Sequence, residues 1–404
     1  MDKKPEKLVP EVRFKGFTDD WEQHKLGDIT IPIKTYPYTR KYETKNITKF
    51  KYIHYGDIHT GKAKKINEPS KLPSITKGNY STLRNGDVVV ADASEDYKGI
   101  ADAAILLSTG AFSIIAGLHT IAFRPNRKLV FPMFIYYNLQ TSRFKHYGYH
   151  VGTGLKVFGI SSNLFFDYSA FHPSLIEQQE ISKLIESLEN LLSLQQRKLE
   201  ILIKLKRSFL TKSMANSLDK NPELYFNSAS VKWLKQKLSD LTIKEFKGNT
   251  KLNDTKPGKT EYLDAERLNG NVPLFIDKPI NTLKSDILIL WDGSKAGSVY
   301  YGFEGSLGST LKAIRLNPKL VNSFFVYQQL KSKQDVIFNK YRTPNIPHVI
   351  KNFTKVYPIY FPSIAVQNKI ARFLGNLDTL IEIQQKSIKD HKVIKKYLLQ
   401  KLFI

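Results

Sequence analysis

The chain contains no cysteine among its 404 residues. Disulfides, thiolate metal sites and cysteine nucleophiles are therefore excluded, and a reducing compartment is compatible. Long apolar runs are missing too. The longest, Leu129–Tyr137, has nine residues and includes Pro132. A membrane-spanning helix needs about 20. The opening "MDKKPEKLVPEVRFKGF" is charged and lacks an apolar core, so it does not read as a signal peptide. These absences predict a soluble, cytoplasmic protein.

Acidic side chains are scarce: 37 Asp+Glu face 62 Lys+Arg, leaving +25. Such an excess points to a polyanionic partner, nucleic acid before an acidic membrane face. Hydrophobic residues at 41% and aromatics at 12% give a globular composition. A chain of this length predicts two domains or more.

Catalytic marks are absent as well. "KPGKT" at 256–260 lacks the glycine a phosphate cradle needs, since Asn253 stands five before Gly258. Gly152-Thr153-Gly154 is a lone G-x-G without the rest of a dinucleotide motif. No Pro-Pro pair occurs, so the (Asp/Asn)-Pro-Pro-aromatic motif of adenine methyltransferases is missing. His54 and His59 have no third ligand nearby and read as packing or surface residues. The Glu-x-Lys triplets at Glu43 and Glu245 follow Asp28 and Asp240 at unequal distances, against a nuclease. No residue is assigned a catalytic or metal role.

What is present is repetition. "HPSLIEQQEI" (172–181) and "FPSIAVQNKI" (361–370) align at an offset of 189. Pro173/Pro362, Ser174/Ser363, Gln178/Gln367 and Ile181/Ile370 coincide. The offset persists through Leu188/Leu377, Glu189/Asp378 and Gln195/Gln384. "WEQHKLGDIT" (21–30) matches "WLKQKLSDLT" (233–242) at an offset of 212, so the first copy is 23 residues longer inside. A frame was duplicated and its filling diverged. Trp21 and Trp233 suit the role of domain-opening core anchors.

Each Pro-Ser step leads into a proline-free run with apolar residues every three or four positions. Pro173 and Pro362 are expected in the first helical turn. Each run of roughly 40 residues spans about 60 Å as a helix, and its stripe requires a partner. The other run is the nearest candidate, giving an internal coiled coil. Gln195 and Gln384 interrupt the stripe, either fixing register or facing water. Ile181, Leu184, Leu188 and Leu192, with Ile370, Phe373, Leu377 and Ile381, are the candidate helix-pairing and partner-docking positions. Residues 213–230 read as a linker.

Within each copy "GDVVVADAS" (86–94) and "SDILILWDGS" (285–294) read as equivalent buried strands. Short helices are expected near 131–145 and 320–335. The loops are rich in Lys, Arg, Tyr and Asn: 35–45 and 142–159 in the first copy, 247–260, 293–302 and 339–348 in the second. Basic side chains neutralise phosphates; Arg, Asn, Gln and Tyr reach base edges. Arg40, Lys41 and Arg143 in the first copy, and Lys295, Tyr300 and Arg342 in the second, are the candidate DNA contacts.

Two Trp-x4-Leu-x-Asp openings, two variable α/β fillings and two Pro-Ser…Gln steps into long helices resemble the specificity subunit of type I restriction–modification systems. The lead-in "VPEVRFKGFTDDWEQHKLGDI" is similar to bacterial members. The resemblance implies an α/β fold with two target-recognition domains, residues 1–172 and 217–361, the latter including the linker. Two long antiparallel helices, 173–216 and 362–404, would form an intramolecular coiled coil with a near-twofold internal repeat. It implies a non-catalytic reader of a bipartite target in double-stranded DNA. The helices would set the spacer and dock two modification subunits. S-adenosylmethionine, ATP and Mg would belong to those and to the restriction/translocase subunits. The chain itself would carry no cofactor. A stand-alone DNA-binding regulator, a basic coiled-coil scaffold and an autonomous nuclease are the competing readings.

Overall fold

The tryptophan that opens each repeat is buried in a computed structural model of the chain, which describes residues 8–95, 99–154, 157–214, 233–344 and 347–404. Two units result: Met1–Gln196 with Ser387–Ile404, and Arg197–Lys386. Each unit therefore takes part of both long helices. All but the first two positions of the linker read at 213–230 lie outside the described residues.

The repeated residues build the same contacts in each unit. Trp21 meets Phe134 at 6.0 Å between ring centroids, and Trp233 meets Phe325 at 6.0 Å. Strand Glu22–Lys25 pairs antiparallel with Ser169–His172, and Leu234–Lys237 with Pro358–Phe361. The repeated threonine closes the following turn: Thr30 Oγ1 donates to the Leu26 carbonyl, as Thr242 Oγ1 does to that of Leu238.

The sheets share a core of three strands. In unit 1, Thr30–Ile33, Thr120–Pro125 and Val88–Ala91 lie side by side, continued by Ala103–Leu106 and Lys65–Ile66. In unit 2 the order is Thr242–Lys247, Leu311–Leu316, Ile287–Leu290, then Val299–Tyr300. Runs such as Val88–Ala91 and Ile287–Leu290 are buried at every position, which is why they read as continuous apolar stretches. The residue before each strand carries a buried carboxylate. Asp87 receives Arg124 Nε and Nη2 at 2.8 and 2.7 Å, and Asp286 receives Arg315 in the same two bonds, at 2.8 and 2.7 Å. A charge buried this deeply requires such pairing.

These matches locate the divergence. Thr30/Thr242, Asp87/Asp286, Arg124/Arg315 and Pro173/Pro362 have offsets of 212, 199, 191 and 189. Thirteen of the 23 extra residues in the first copy thus lie between Thr30 and Asp87, and eight between Asp87 and Arg124.

The long helices span Leu175–Ser213 and Ile364–Lys401. Pro173 and Pro362 precede them rather than entering the first turn. Ser174 takes the capping position, its Oγ accepting from Glu177 N at 3.4 Å. The motif glutamines are buried and tie the helix start to its domain. Gln178 donates to the Pro173 carbonyl at 2.9 Å and accepts from Phe131 N at 2.7 Å. Gln367 donates to Pro362 at 2.8 Å and accepts from Asn322 N at 2.9 Å.

The helices pair antiparallel inside each unit. In unit 1, Ile181 and Ile185 share a core with Leu402 and Phe403, and Lys395 Nζ donates to Glu189 Oε1 at 2.6 Å. In unit 2, Phe209 meets Phe373 at 4.4 Å between centroids, and Lys206 pairs with Asp378. Both acids and both lysines keep the offset of 189. No helix among the described residues is long and apolar enough to cross a membrane.

One expected loop is a helix. Ser142–Val151 is helical and capped by Thr141, whose Oγ1 accepts from Phe144 N at 3.3 Å. Phe144, Tyr147 and Val151 pack on the core at helical spacing. The His, Tyr and Gly between them obscure that period in the sequence.

Candidate nucleic-acid interface

Arg40 lies on the single turn Arg40–Tyr42. Its guanidinium is already engaged, donating to Asp57 at 2.9 and 3.1 Å and to Glu43 at 2.7 Å. Burial works to lower its pKa, but Asp57 and Glu43 outweigh that and hold it above the usual value. Its neighbour Lys41 is exposed. Arg143, on the first turn of its helix, is exposed with its guanidinium 5.1 Å from the Phe171 ring centroid. Lys41 and Arg143 therefore have side chains available to phosphate, whereas Arg40 braces its own loop.

In unit 2, the structure brings Lys295 and Arg342 together. Lys295 is exposed in a turn, and Arg342 donates to the adjacent Ser294 carbonyl at 3.1 Å. Tyr300 is placed differently. It is 9% exposed, lies on strand Val299–Tyr300 and packs with Leu288, Leu290 and Leu311. Its hydroxyl donates to Asn269 Oδ1 at 3.2 Å. The flanking glycines of "GSVYYG" make a two-residue strand read as a loop. Its surroundings are those of a packing residue.

The histidines brace the first filling. His54 Nδ1 accepts from Gly56 N at 3.1 Å and caps a short helix. His59 Nε2 lies 2.8 Å from the Ala93 carbonyl and Nδ1 3.4 Å from Asp102. With an acceptor facing each ring nitrogen, the doubly protonated ring is favoured, and the Asp102 hydrogen bond raises the His59 pKa against burial. A separate cavity of about 580 Å³ in the same unit is lined by Arg84, Arg124 and Arg127. Arg124 is held by Asp87 and Arg127 donates to the Asn85 carbonyl, while Arg84 is exposed.

Among the helix-stripe positions, Ile181 and Ile370 enter the cores of their own units. Leu377 is buried, Phe373 packs at a tilt against Phe209, Leu188, Leu192 and Ile381 are half-buried, and Leu184 is exposed. The polar half of the pairing was not anticipated. Glu189 takes Lys395, Lys65 at 2.5 Å and the Tyr137 hydroxyl at 3.0 Å. Burial would raise its pKa, but the two lysines hold it below the usual carboxylate value. Asp378 takes Lys206 and, at 2.8 Å, Gln328 Nε2. The signal was the constant offset of these lysines.

One frame present in two copies, each with its own divergent filling, defines a class of tandem-repeat α/β protein. Residues 230–390 match the family described as type I restriction modification DNA specificity domain. That stretch holds the second copy of the frame, from Trp233 to the start of the second long helix. The type I restriction enzyme MjaVIII specificity subunit of Methanocaldococcus jannaschii is 32% identical over 165 residues. That match covers 40% of this chain and spans 39% of that protein. The putative MjaX specificity subunit of the same organism is 22% identical over 410 residues, covering 95% and 93% of the two chains. The crystal structure of the S subunit from M. genitalium shares the fold, with a TM-score of 0.65 at 16% identity over 98% of this chain and 99% of that one. A structure from work on complex assembly and conformational transition of the type I system gives 0.55 at 15% identity, over 94% and 96%.

Proposed function

We propose that the chain is the DNA-recognition subunit of a type I restriction–modification complex. Each unit reads one half of a bipartite target in double-stranded DNA. The observation that carries this is the duplicated frame, one copy of which lies in the stretch matched by the specificity-domain family. Two unlike fillings on one frame suit two unlike half-sites. The chain acts without catalysis of its own. Two modification subunits, docked on the long helices, bring S-adenosylmethionine and transfer the methyl group. Restriction/translocase subunits bring ATP and Mg. The paired helices set the number of unread base pairs between the half-sites.

Methylation mapping in a host carrying the complete system tests the reading. It should return two short motifs separated by a fixed spacer. A single contiguous motif, or methyl transfer by the purified chain given only S-adenosylmethionine, would overturn it.

A further inference from the structure

The surplus residues between Thr30 and Asp87 build a feature that the second unit does not repeat. Tyr36, Tyr38, Tyr42 and Tyr80 form one surface cluster in unit 1. Tyr38 and Tyr42 are stacked at 4.5 Å between centroids with 14° between planes. Tyr80 closes edge-on against Tyr36 at 5.2 Å and Tyr38 at 5.9 Å. The corresponding stretch of unit 2, 243–285, holds a single tyrosine, Tyr262, which is buried. The duplicated frame thus acts as an internal reference, and the cluster is an addition to it.

The cluster is anchored at Tyr36 yet open at Tyr42. Tyr36 N donates to the Ala116 carbonyl at 3.0 Å, and the Tyr36 hydroxyl accepts from Ser81 N at 2.7 Å. Tyr42 is 52% exposed and its hydroxyl has no partner among the described residues. Lys34 Nζ lies 5.4 Å from the Tyr36 ring centroid, and Lys41, Lys45, Lys49 and Lys77, close to the four tyrosines in sequence, are exposed. The only carboxylate in 31–50 is Glu43, which is consumed by Arg40 at 2.7 Å and the Tyr52 hydroxyl at 2.8 Å. The face therefore presents flat amphipathic rings inside a fringe of uncompensated positive charge. Preset tyrosines make contacts at low entropic cost, and the lysines suit a polyphosphate.

We propose that Tyr42 is a specificity-determining residue that reads base edges of the half-site assigned to unit 1, with Tyr38 as its positioning residue and Lys34, Lys41 and Lys77 on the flanking phosphates. This rests on the reading of the chain as a DNA-specificity subunit. The outer Tyr42 ring meets base edges and sugar, and its hydroxyl donates to or accepts from a base. Tyr38 holds Tyr42 at the angle that makes this possible.

The full chain, assembled with its modification subunits, tests this on oligonucleotides in which each base pair of both half-sites is varied. Tyr42→Ala should lower discrimination roughly tenfold or more at one or two base pairs of one half-site and leave the other unchanged. Tyr42→Phe should keep the ring's share and lose the hydroxyl's. Replacing Lys34, Lys41 and Lys77 together by Ala should reduce the salt slope by about three without altering the motif. Unchanged discrimination in both Tyr38→Ala and Tyr42→Ala overturns the assignment while the bipartite reading stands. Lost assembly with discrimination intact also overturns it, by giving the face to a protein partner. Absence of any bipartite site in the parent complex removes the wider reading, and the assignment with it.

Discussion

His172 and Phe361 occupy the same place in the two copies, 189 residues apart. His172 is buried, packed 5.6 Å from the Phe134 ring and 5.8 Å from His24. Its Nδ1 lies 3.0 Å from the Ala170 carbonyl and its Nε2 has no partner among the described residues. Burial pushes its pKa down to about 4, so the folded chain holds the ring neutral. The unfolded chain takes up a proton near pH 6.5. The stability the neutral ring permits is complete above pH 6.5 and is lost as pH falls toward 4. His172→Phe, the side chain the second copy already uses, should change stability little at pH 8. It should remove up to roughly 3 kcal/mol of acid sensitivity in unit 1. Denaturant melts at pH 8 and pH 5 check this; equal pH dependence in parent and variant would count against it. Phe403, against Phe134 at 5.0 Å, belongs to the same core. Phe403→Ala should cost about 3 kcal/mol, read as faster hydrogen exchange in unit 1 with unit 2 unaffected.

At the scale of elements, the paired acid–lysine clamps carry the clearest expectation. The Glu189 carboxylate is held ionised by Lys395 and Lys65, so its contribution is present above the unfolded pKa near 4.5 and is lost as pH falls through the lower folded value. Glu189→Gln should destabilise unit 1 by about 1–2 kcal/mol at pH 7, and the difference from the parent should shrink as the pH is taken below the unfolded value and the carboxylate protonates. Thermal melts across that range measure it. The elements themselves were legible to different degrees. The long helices were plain because a stripe of three-four spacing, broken only at Gln195 and Gln384, persists for about ten turns without a proline. The buried strands were plain because every residue of Val88–Ala91 is apolar. The helix Ser142–Val151 was not, since its apolar residues are few and lie among Tyr, His and Gly. Tyr300 reads as a loop residue for the converse reason: two strand residues between glycines carry no period at all. Arg40 shows a limit of another kind. Its charge was legible, but Asp57, which occupies it, is seventeen residues away and joined only by folding.

For the whole molecule, the duplicated frame predicts modular specificity. Exchanging residues 31–170 for the corresponding stretch of another member should change one half of the methylated site and leave the other half unaltered. Methylation mapping reads the result directly, and a change in both halves would refute modularity. The composition of the units has a further consequence. Unit 1 comprises Met1–Gln196 and Ser387–Ile404, with Val12 N donating to the Lys401 carbonyl at 3.0 Å and Leu402 and Phe403 within its core. On the ribosome, the domain that begins first cannot finish first. Its core waits, missing a wall, while the entire second unit is made. Arg197–Lys386 is an unbroken stretch and closes as soon as it has emerged, so maturation runs from the inside of the gene outward. A premature stop late in the message would spare the unit nearest to it and cripple the one encoded farthest away.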